Sequence, residues 1–412
     1  MSTEKKNRPV RLAVVGGNRG TAFNKVLSLL SEKVILNSVC DISDEVLLRW
    51  KELLPGIKCY SSFNKLLDED DCEAVFIATP MQLHTEQAVQ ALRSGRHVLS
   101  EVPSCITLDE CWELVETVEK TGLVYMLAEN YCYMRSNMMI LNMVGKGVFG
   151  EITYAEGAYI HDCRSLAFDS KGNLTWRGLI HGKDASMNGN TYPTHSLGPI
   201  SQWLRINKEE RLCRTATFMS KVASLPRYVI RNFDKGHPGA NKEFWGHGDS
   251  ATTIIETAKG VIIVLRVDVN SARPHNMTHY VLQGTTASYI SPRYDKEEPL
   301  VWIEDKSPTS SNGIALEWES LWKYTEEFEH PKWKEWKDIA DKTGHGGGDF
   351  FVLNDFLDSI INNTTPPIDV YDAVTWSSIL PLSIESVKKG GIPMEIPEFR
   401  REKWIKRLRL EF

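Results

Sequence analysis

An α/β chain is predicted: a doubly wound domain over residues 1–128, then an α+β domain over 129–412 built on a large open sheet, mixed or antiparallel. Three observations carry this reading. Short β-rich runs alternate with helical patterns up to residue 128, strands lengthen and lose most intervening helices after Asn130, and helical spacing returns from Asp349. A length of 412 residues, at about 150 per domain, fits two or three domains, and 42% hydrophobic residues suffice for a core in each.

The strands of the first domain are expected at Arg11–Val15, Ile35–Cys40, Ala74–Ala78, His97–Ser100 and Val124–Ala128. Between them Ala22–Leu30, Glu45–Leu53, Thr85–Ser94 and Leu108–Lys120 place apolar residues at helical spacing. Gly95 and Gly122 stand where helices end in the left-handed conformation. Such βα steps make a nucleotide-binding domain by length and pattern. In the second domain Ser136–Val144 reads as a helix, and Ile152–Ile160, Arg214–Ser220, Thr252–Thr257, Val261–Val269, Thr278–Gly284 and Ala287–Ser291 read as strands. The polar, Trp-containing stretch Lys306–Gly348 reads as loop and short helix, with Asp349–Asn362 and Tyr371–Lys388 as helices.

Charge and composition exclude several partners. Lys plus Arg is 48 and Asp plus Glu is 54, so 48 minus 54 gives a net charge of -6, which opposes binding to a phosphate backbone; no nucleic acid is expected. The most apolar stretch, Val261–Leu265, stops at Arg266, far short of the roughly 18 residues of a membrane span, so no membrane is expected either. The start, MSTEKKNRPVRLAVVGG, lacks the apolar block of a signal peptide, which predicts a cytoplasmic protein. Eight cysteines without CxxC spacing suggest neither a zinc ribbon nor a disulfide framework and read as small buried residues.

The first strand ends in VVGGNRGT, where Gly16, Gly17 and Gly20 let the backbone approach a pyrophosphate at a helix N-terminus. Asn18 and Thr21 occupy two positions that a full GxGxxG gives to glycine, and glycines after a strand also serve as a plain turn. Asp41 lies 41 minus 20, or 21, residues beyond Gly20 at the end of the second strand, where a carboxylate accepts from ribose hydroxyls. The competing role for Asp41, the N-cap of the next helix, can be filled by Ser43 or Asp44. An acid there also disfavours a 2'-phosphate, so NAD is the expected cofactor rather than NADP.

Three further motifs, IATPxxxH at Ile77–His84, SGRHVLSEVP at Ser94–Pro103 and GVFGEI at Gly147–Ile152, resemble the Gfo/Idh/MocA oxidoreductases. In that family a nicotinamide-binding domain precedes a sugar-binding α/β domain, and the resemblance covers nearly the whole chain. Its dehydrogenases usually carry EKP, whose lysine assists proton transfer; here Glu101-Val102-Pro103 stands instead. Their DxxxH pair is also broken, because Thr191 stands four residues before His195. NTYPTHSLGP at Asn190–Pro199, with EVPSCITLDECW, AENYCYMR and GHGGGDF at Gly344–Phe350, is similar to the NAD-dependent α-N-acetylgalactosaminidases and their relatives, a group that carries EVP.

That resemblance implies NAD contacts at Arg19, Gly20, Asp41, the turn of Met81, Gln82, Leu83 and His84, Glu101, Val102 and Asn130, with Tyr192 near the nicotinamide. It implies substrate contacts at Tyr159, Arg177, Tyr192 and His195, of which Tyr159, Tyr192 and His195 are the catalytic candidates. Bland roles stand beside these. Tyr159 in a strand is equally a core residue, Arg177 after Trp176 can stack at the surface, and a histidine in a polar loop such as His195 can be structural. His345 with Asp349 cannot fill a coordination sphere, so no metal is expected and a glycine-rich turn beside the active cleft is the reading. His161 with Asp162 reads as a salt-bridged strand end, and His275 lines the pocket or nothing.

Direct glycoside hydrolysis takes two carboxylates across the bond, and no such pair stands out in the second domain. A redox route needs other groups: oxidation at sugar C3 acidifies the C2 proton, a base removes it as the C1 aglycone leaves, water adds, and C3 is reduced again. Histidine has a neutral-range pKa of about 6.5, whereas tyrosine, at about 10, acts as a base only beside positive charge. The leading expectation is therefore an NAD-bound carbohydrate enzyme performing redox-assisted glycoside cleavage. Its alternatives are a sugar or polyol dehydrogenase releasing NADH and a catalytically silent NAD or sugar sensor. A homo-oligomer, dimer or tetramer, is expected from the open sheet.

Overall fold

The computed structural model describes residues 8–185, 187–234, 236–274, 278–294 and 296–400, and His275 lies outside them. The chain forms two compact units. One takes the described residues up to Met138, His330–Ser378 and those from Phe399 onward; the other takes Met139–Glu329 and Ile379–Glu398.

In the first unit a parallel sheet joins β1 (Val10–Val15), β2 (Val34–Cys40), β3 (Lys58–Tyr60), β4 (Ala74–Ile77), β5 (His97–Ser100) and β6 (Tyr125–Leu127) in the order β3-β2-β1-β4-β5-β6. Apart from Arg11, the VRLAVV run of β1 is apolar and buried because both of its faces are covered. Strand order reverses between β1 and β4, the place where doubly wound sheets bind ligands at the carboxyl ends of their strands. The edge strand β3 and the helix Phe63–Glu69 after it are additions to the sequence reading. The first helix also differs from expectation: it begins at Gly17 and passes through a tighter turn at Thr21–Phe23 before Asn24–Leu29. The helix Leu108–Thr121 starts at a capping box between Thr107 and Glu110 and ends at left-handed Gly122, as expected.

Helices Gly348–Asn362 and Val370–Ser377 also belong to this unit and are buried almost throughout, the second packing on Leu108–Thr121 and β6. The single helix expected over Tyr371–Lys388 is two, Val370–Ser377 and Ile379–Lys388. The break follows from Pro381, which has no N–H for the carbonyl four residues back at Ser377.

The second unit carries a mixed sheet of nine strands: β7 (Ile152–Ile160), β8 (Leu212–Met219), β9 (Ser250–Thr257), β10 (Ile262–Asp268), β11 (Thr278–Gly284), β12 (Ala287–Ile290), β13 (Leu300–Ile303), β14 (Glu319–Ser320) and β15 (Met394–Glu395). Their order is β14-β13-β12-β11-β7-β10-β9-β8-β15, with β7 and β10 parallel and the other pairs antiparallel. The helix Thr194–Trp203 is wholly buried and lies on β7. Gly157 makes that approach possible, because a Cβ there would stand 2.3 Å from the carbonyl oxygen of Ser196. Among the described residues no helix is long and apolar enough to cross a membrane.

Candidate active site

Apart from Tyr192, which belongs to the second unit, the residues expected to hold a dinucleotide gather at the carboxyl ends of β1, β2, β4, β5 and β6 in the first unit. Gly16 has φ 92, and a Cβ on it would meet the carbonyl oxygen of Ala78 at 2.4 Å, so only glycine closes the turn after β1. At Gly20 a Cβ would fall 2.2 Å from Val14 Cγ1, which is the tight helix-to-strand packing of a nucleotide-binding turn. Gly17 is buried, and its carbonyl accepts from Trp50 Nε1 at 2.9 Å.

Asp41 accepts from the backbone N–H of Ser43 at 2.9 Å and of Asn18 at 3.3 Å. A carboxylate offers about four acceptor positions, so two stay free for a diol. Ser43, not Asp41, caps the helix Asp44–Leu53 by accepting from Val46 N–H. Arg19 pairs with Glu101 at 2.7 Å and lies over the Phe23 ring, joining the first turn to the EVP loop. Val102 is buried before the cis bond to Pro103.

Within the Met81–His84 turn, Met81 and His84 are buried, Leu83 is exposed and Gln82 Oε1 is buried with no hydrogen-bond partner. His84 braces the turn: its ring nitrogens meet the carbonyls of Pro103 at 2.7 Å and Thr79 at 2.8 Å. Burial pushes its pKa down although both carbonyls pull it up. Asn130 is buried just after β6, and its Oδ1 has no hydrogen-bond partner. A glycine cradle, a diol-ready acid and two unsatisfied buried acceptors make this site fit NAD.

In the second unit, Tyr159, Tyr192 and His195 form one cluster of rings. Tyr159 and Tyr192 stack with centroids 5.0 Å apart, and the His195 ring stands edge-on, 5.2 Å from the first and 5.0 Å from the second. Gly157 and Tyr159 share a face of β7, so the glycine that admits the helix Thr194–Trp203 also brings Tyr159 against His195. Tyr159 is 6% exposed beside Ala251, Val267 and Val269, so its core and site positions coincide. The approach to His195 is anchored at Asn190, whose N–H donates to Ser383 Oγ at 2.7 Å and whose Nδ2 donates to Thr253 Oγ1 at 3.3 Å.

Arg177 is exposed and stacks over Trp176 at 4.3 Å. Its charge nevertheless reaches Cys163, which packs against the Tyr159 cluster; burial raises that thiol to about 12 and Arg177 pulls it down. His161 packs edge-on to Tyr159 at 5.8 Å. Asp162 pairs with Arg164 through both carboxylate oxygens, at 2.8 and 2.7 Å, and these bonds, with a smaller contribution from the charge of His161, hold its pKa below the usual carboxylate range.

The structure adds three contacts to the sequence reading, the first of them within the glycine-rich turn expected at His345. His345 Nδ1 lies 3.0 Å from Asp349, which in turn accepts from Asn130. His181 and His247 are a buried pair with ring centroids 4.4 Å apart. Burial depresses both, His247 to about 4. Tyr280 donates its hydroxyl to the backbone carbonyl of His195. The signals were the i,i+4 spacing in GHGGGDF and Pro199 within a helix; nothing local marks the His181–His247 pair.

A parallel dinucleotide-binding sheet in one unit and an aromatic–histidine cluster on a mixed sheet in the other define an NAD-binding oxidoreductase fold with a sugar-enzyme domain. Comparison with known proteins makes this specific. Residues 10–129 match the oxidoreductase family with an NAD-binding Rossmann fold, and residues 133–406 match the glycosyl hydrolase 109 C-terminal domain. A glycosyl hydrolase family 109 protein of Solibacter usitatus is 36% identical over 97% of this chain and 90% of its own length. An alpha-N-acetylgalactosaminidase of Bacteroides fragilis is 36% identical over 96% of this chain and 93% of its own. Among solved structures, a levoglucosan dehydrogenase in complex with NADH and L-sorbose superposes with TM-score 0.76 at 18% identity, covering 95% of this chain and all of that one. The chain belongs to glycosyl hydrolase family 109.

Proposed function

We propose that this protein cleaves a glycoside by a redox cycle at the sugar ring that consumes no NAD. The observation that carries the reading is the Tyr159–Tyr192–His195 cluster in a chain whose residue 102 is valine. Valine moves no proton, so proton transfer falls to the ring cluster. Gly16, Gly17, Arg19, Gly20, Asp41, the Met81–His84 turn, Glu101, Val102 and Asn130 hold the cofactor in this reading. NAD, when bound, supplies hydride acceptance at sugar C3 and its return.

His195, with Tyr192 beside it, takes the C2 proton made acidic by a C3 ketone, and the electron pair left behind forms the C1–C2 double bond as the aglycone departs. The same groups return a proton to C2 as water adds at C1. Tyr159 and Arg177 hold the sugar, with Tyr159 positioning the two rings that act. An α-N-acetylgalactosaminide is the first substrate to test, because the Bacteroides fragilis relative bears that name at 36% identity.

The decisive experiment incubates the purified protein with a panel of nitrophenyl glycosides with and without added NAD. Release of nitrophenol without NADH accumulation is expected; stoichiometric NADH with no cleavage would instead establish the dehydrogenase alternative. A cytoplasmic location and a homo-oligomeric state belong to the same reading. The first is supported by eight cysteines that are all unpaired, and the second by the open mixed sheet. Cell fractionation and light scattering test them.

A further inference from the structure

A buried chain of polar contacts in the first unit links Asn130 to Asp349 and His345. Asp349 is 1% exposed; it accepts from Asn130 Nδ2 at 2.8 Å and lies 3.0 Å from His345 Nδ1. Glycine makes the contact possible. A Cβ at Gly348 would stand 2.3 Å from the carbonyl oxygen of Asn130, so a side chain there would push the helix Gly348–Asn362 off that residue.

An ionised carboxylate only accepts hydrogen bonds, so Asp349 fixes which end of the Asn130 amide faces it: the NH2. The other end, Oδ1, is buried and has no hydrogen-bond partner. A buried acceptor left empty costs stability unless a ligand fills it. Asn130 follows β6 at the end of the sheet where this fold holds its nucleotide.

We propose that Asp349 and His345 are positioning residues for the cofactor: through Asn130 they hold a carboxamide oxygen ready to accept from an N–H or O–H donor of the bound dinucleotide. The inference rests on the NAD assignment of this unit and adds two residues to it. His345 keeps Asp349 ionised. Burial works against the His345 cation, but the hydrogen bond and charge of Asp349 prevail and raise its pKa, with Glu101 assisting and Arg19 opposing. Burial likewise works against the Asp349 carboxylate, and His345, Asn130 and Arg19 hold its pKa low. Were Asp349 protonated, it could donate to Asn130 Oδ1 and turn the amide round.

The test titrates NAD and ADP-ribose, which lacks the nicotinamide, into the full-length protein and its Asn130→Ala, Asp349→Asn and doubly substituted forms. Each single change is expected to weaken NAD roughly tenfold, and the double change no further, because both remove one hydrogen bond. ADP-ribose spared by the changes marks the carboxamide as donor; ADP-ribose weakened alongside NAD marks a ribose hydroxyl. Additive losses, or unchanged NAD affinity in Asp349→Asn, overturn the inference. If the unmodified protein fails to bind NAD, the cofactor assignment itself falls.

His345→Gln supplies a second variant should Asp349→Asn not fold. Without the cation Asp349 takes a proton more readily, so NAD affinity should fall between pH 8 and pH 5 more steeply than in the unmodified protein. Matching profiles overturn the inference.

Discussion

Tyr280 donates its hydroxyl to the backbone carbonyl of His195, the residue four positions before Pro199 in the same helix. Four residues after His195, a proline has no N–H to give, and a buried carbonyl must be satisfied from elsewhere. Tyr280 therefore fixes the first turn of the helix that carries the proposed base. Tyr280→Phe should lower stability by about 1–3 kcal/mol. It should also reduce kcat roughly tenfold or more by loosening His195, with NAD affinity unchanged. Thermal denaturation and glycoside turnover measure the two effects, and wild-type turnover would show that the contact is structural only.

Asp41 is expected to set cofactor choice through its charge. Its carboxylate already accepts two backbone N–H groups, which aim its remaining lone pairs. NAD is expected to bind more tightly than NADP, and Asp41→Ala should weaken NAD roughly 10- to 100-fold while changing NADP little. Equal affinities for the two cofactors in the unmodified protein would remove Asp41 from this role.

Val102→Lys should not produce an efficient sugar dehydrogenase. Thr191 also departs from the dehydrogenase pairing, and a proton donor works through geometry before pKa. A large gain in NADH formation from the single change would show that a lysine was all the chain lacked.

What the sequence disclosed and what it hid divide by distance along the chain. The places of Gly20 after β1 and Asp41 after β2 were legible because both lie within one βα step. Tyr192 and His195 were legible as a motif. The partners of these residues were not: Tyr280 follows His195 by 85 positions, and Asp349 follows Asn130 by 219. Strand β3 escaped because three residues, Lys58–Tyr60, at a sheet edge with none fully buried show no apolar period. The return of His330–Ser378 to the first unit is a matter of which apolar surface those helices cover, which no local spacing records.

The His181–His247 pair gives the fold an acid limit. Burial holds His247 at about 4, and His181 is also depressed, by burial and by its neighbour. The unfolded chain binds these protons near pH 6.5 and the folded chain does not, so their contribution is complete above pH 6.5 and is lost as pH falls toward 4. His247 alone accounts for up to about 3 kcal/mol over that window. Urea unfolding at several pH values should show this slope, and a doubly substituted form with glutamine at both positions should flatten it. An unchanged slope would assign the acid sensitivity to other groups.

The ring cluster makes the most direct prediction about mechanism. If C3 is oxidised before the aglycone leaves, turnover in heavy water places deuterium at C2 of the released sugar, provided the base exchanges with solvent before returning its proton. His195 is the base in this scheme, and its ring meets Tyr159 and Tyr192. His195→Ala should reduce turnover by roughly 100- to 10,000-fold, the range of a lost general acid–base group, and leave NAD affinity intact. Tyr192→Phe should impair turnover too, with a further effect on NAD, since that tyrosine is assigned to both ligands. Deuterium absent from C2 at full turnover would exclude the elimination, and undiminished activity in His195→Ala would move the base to another residue whichever reaction is correct.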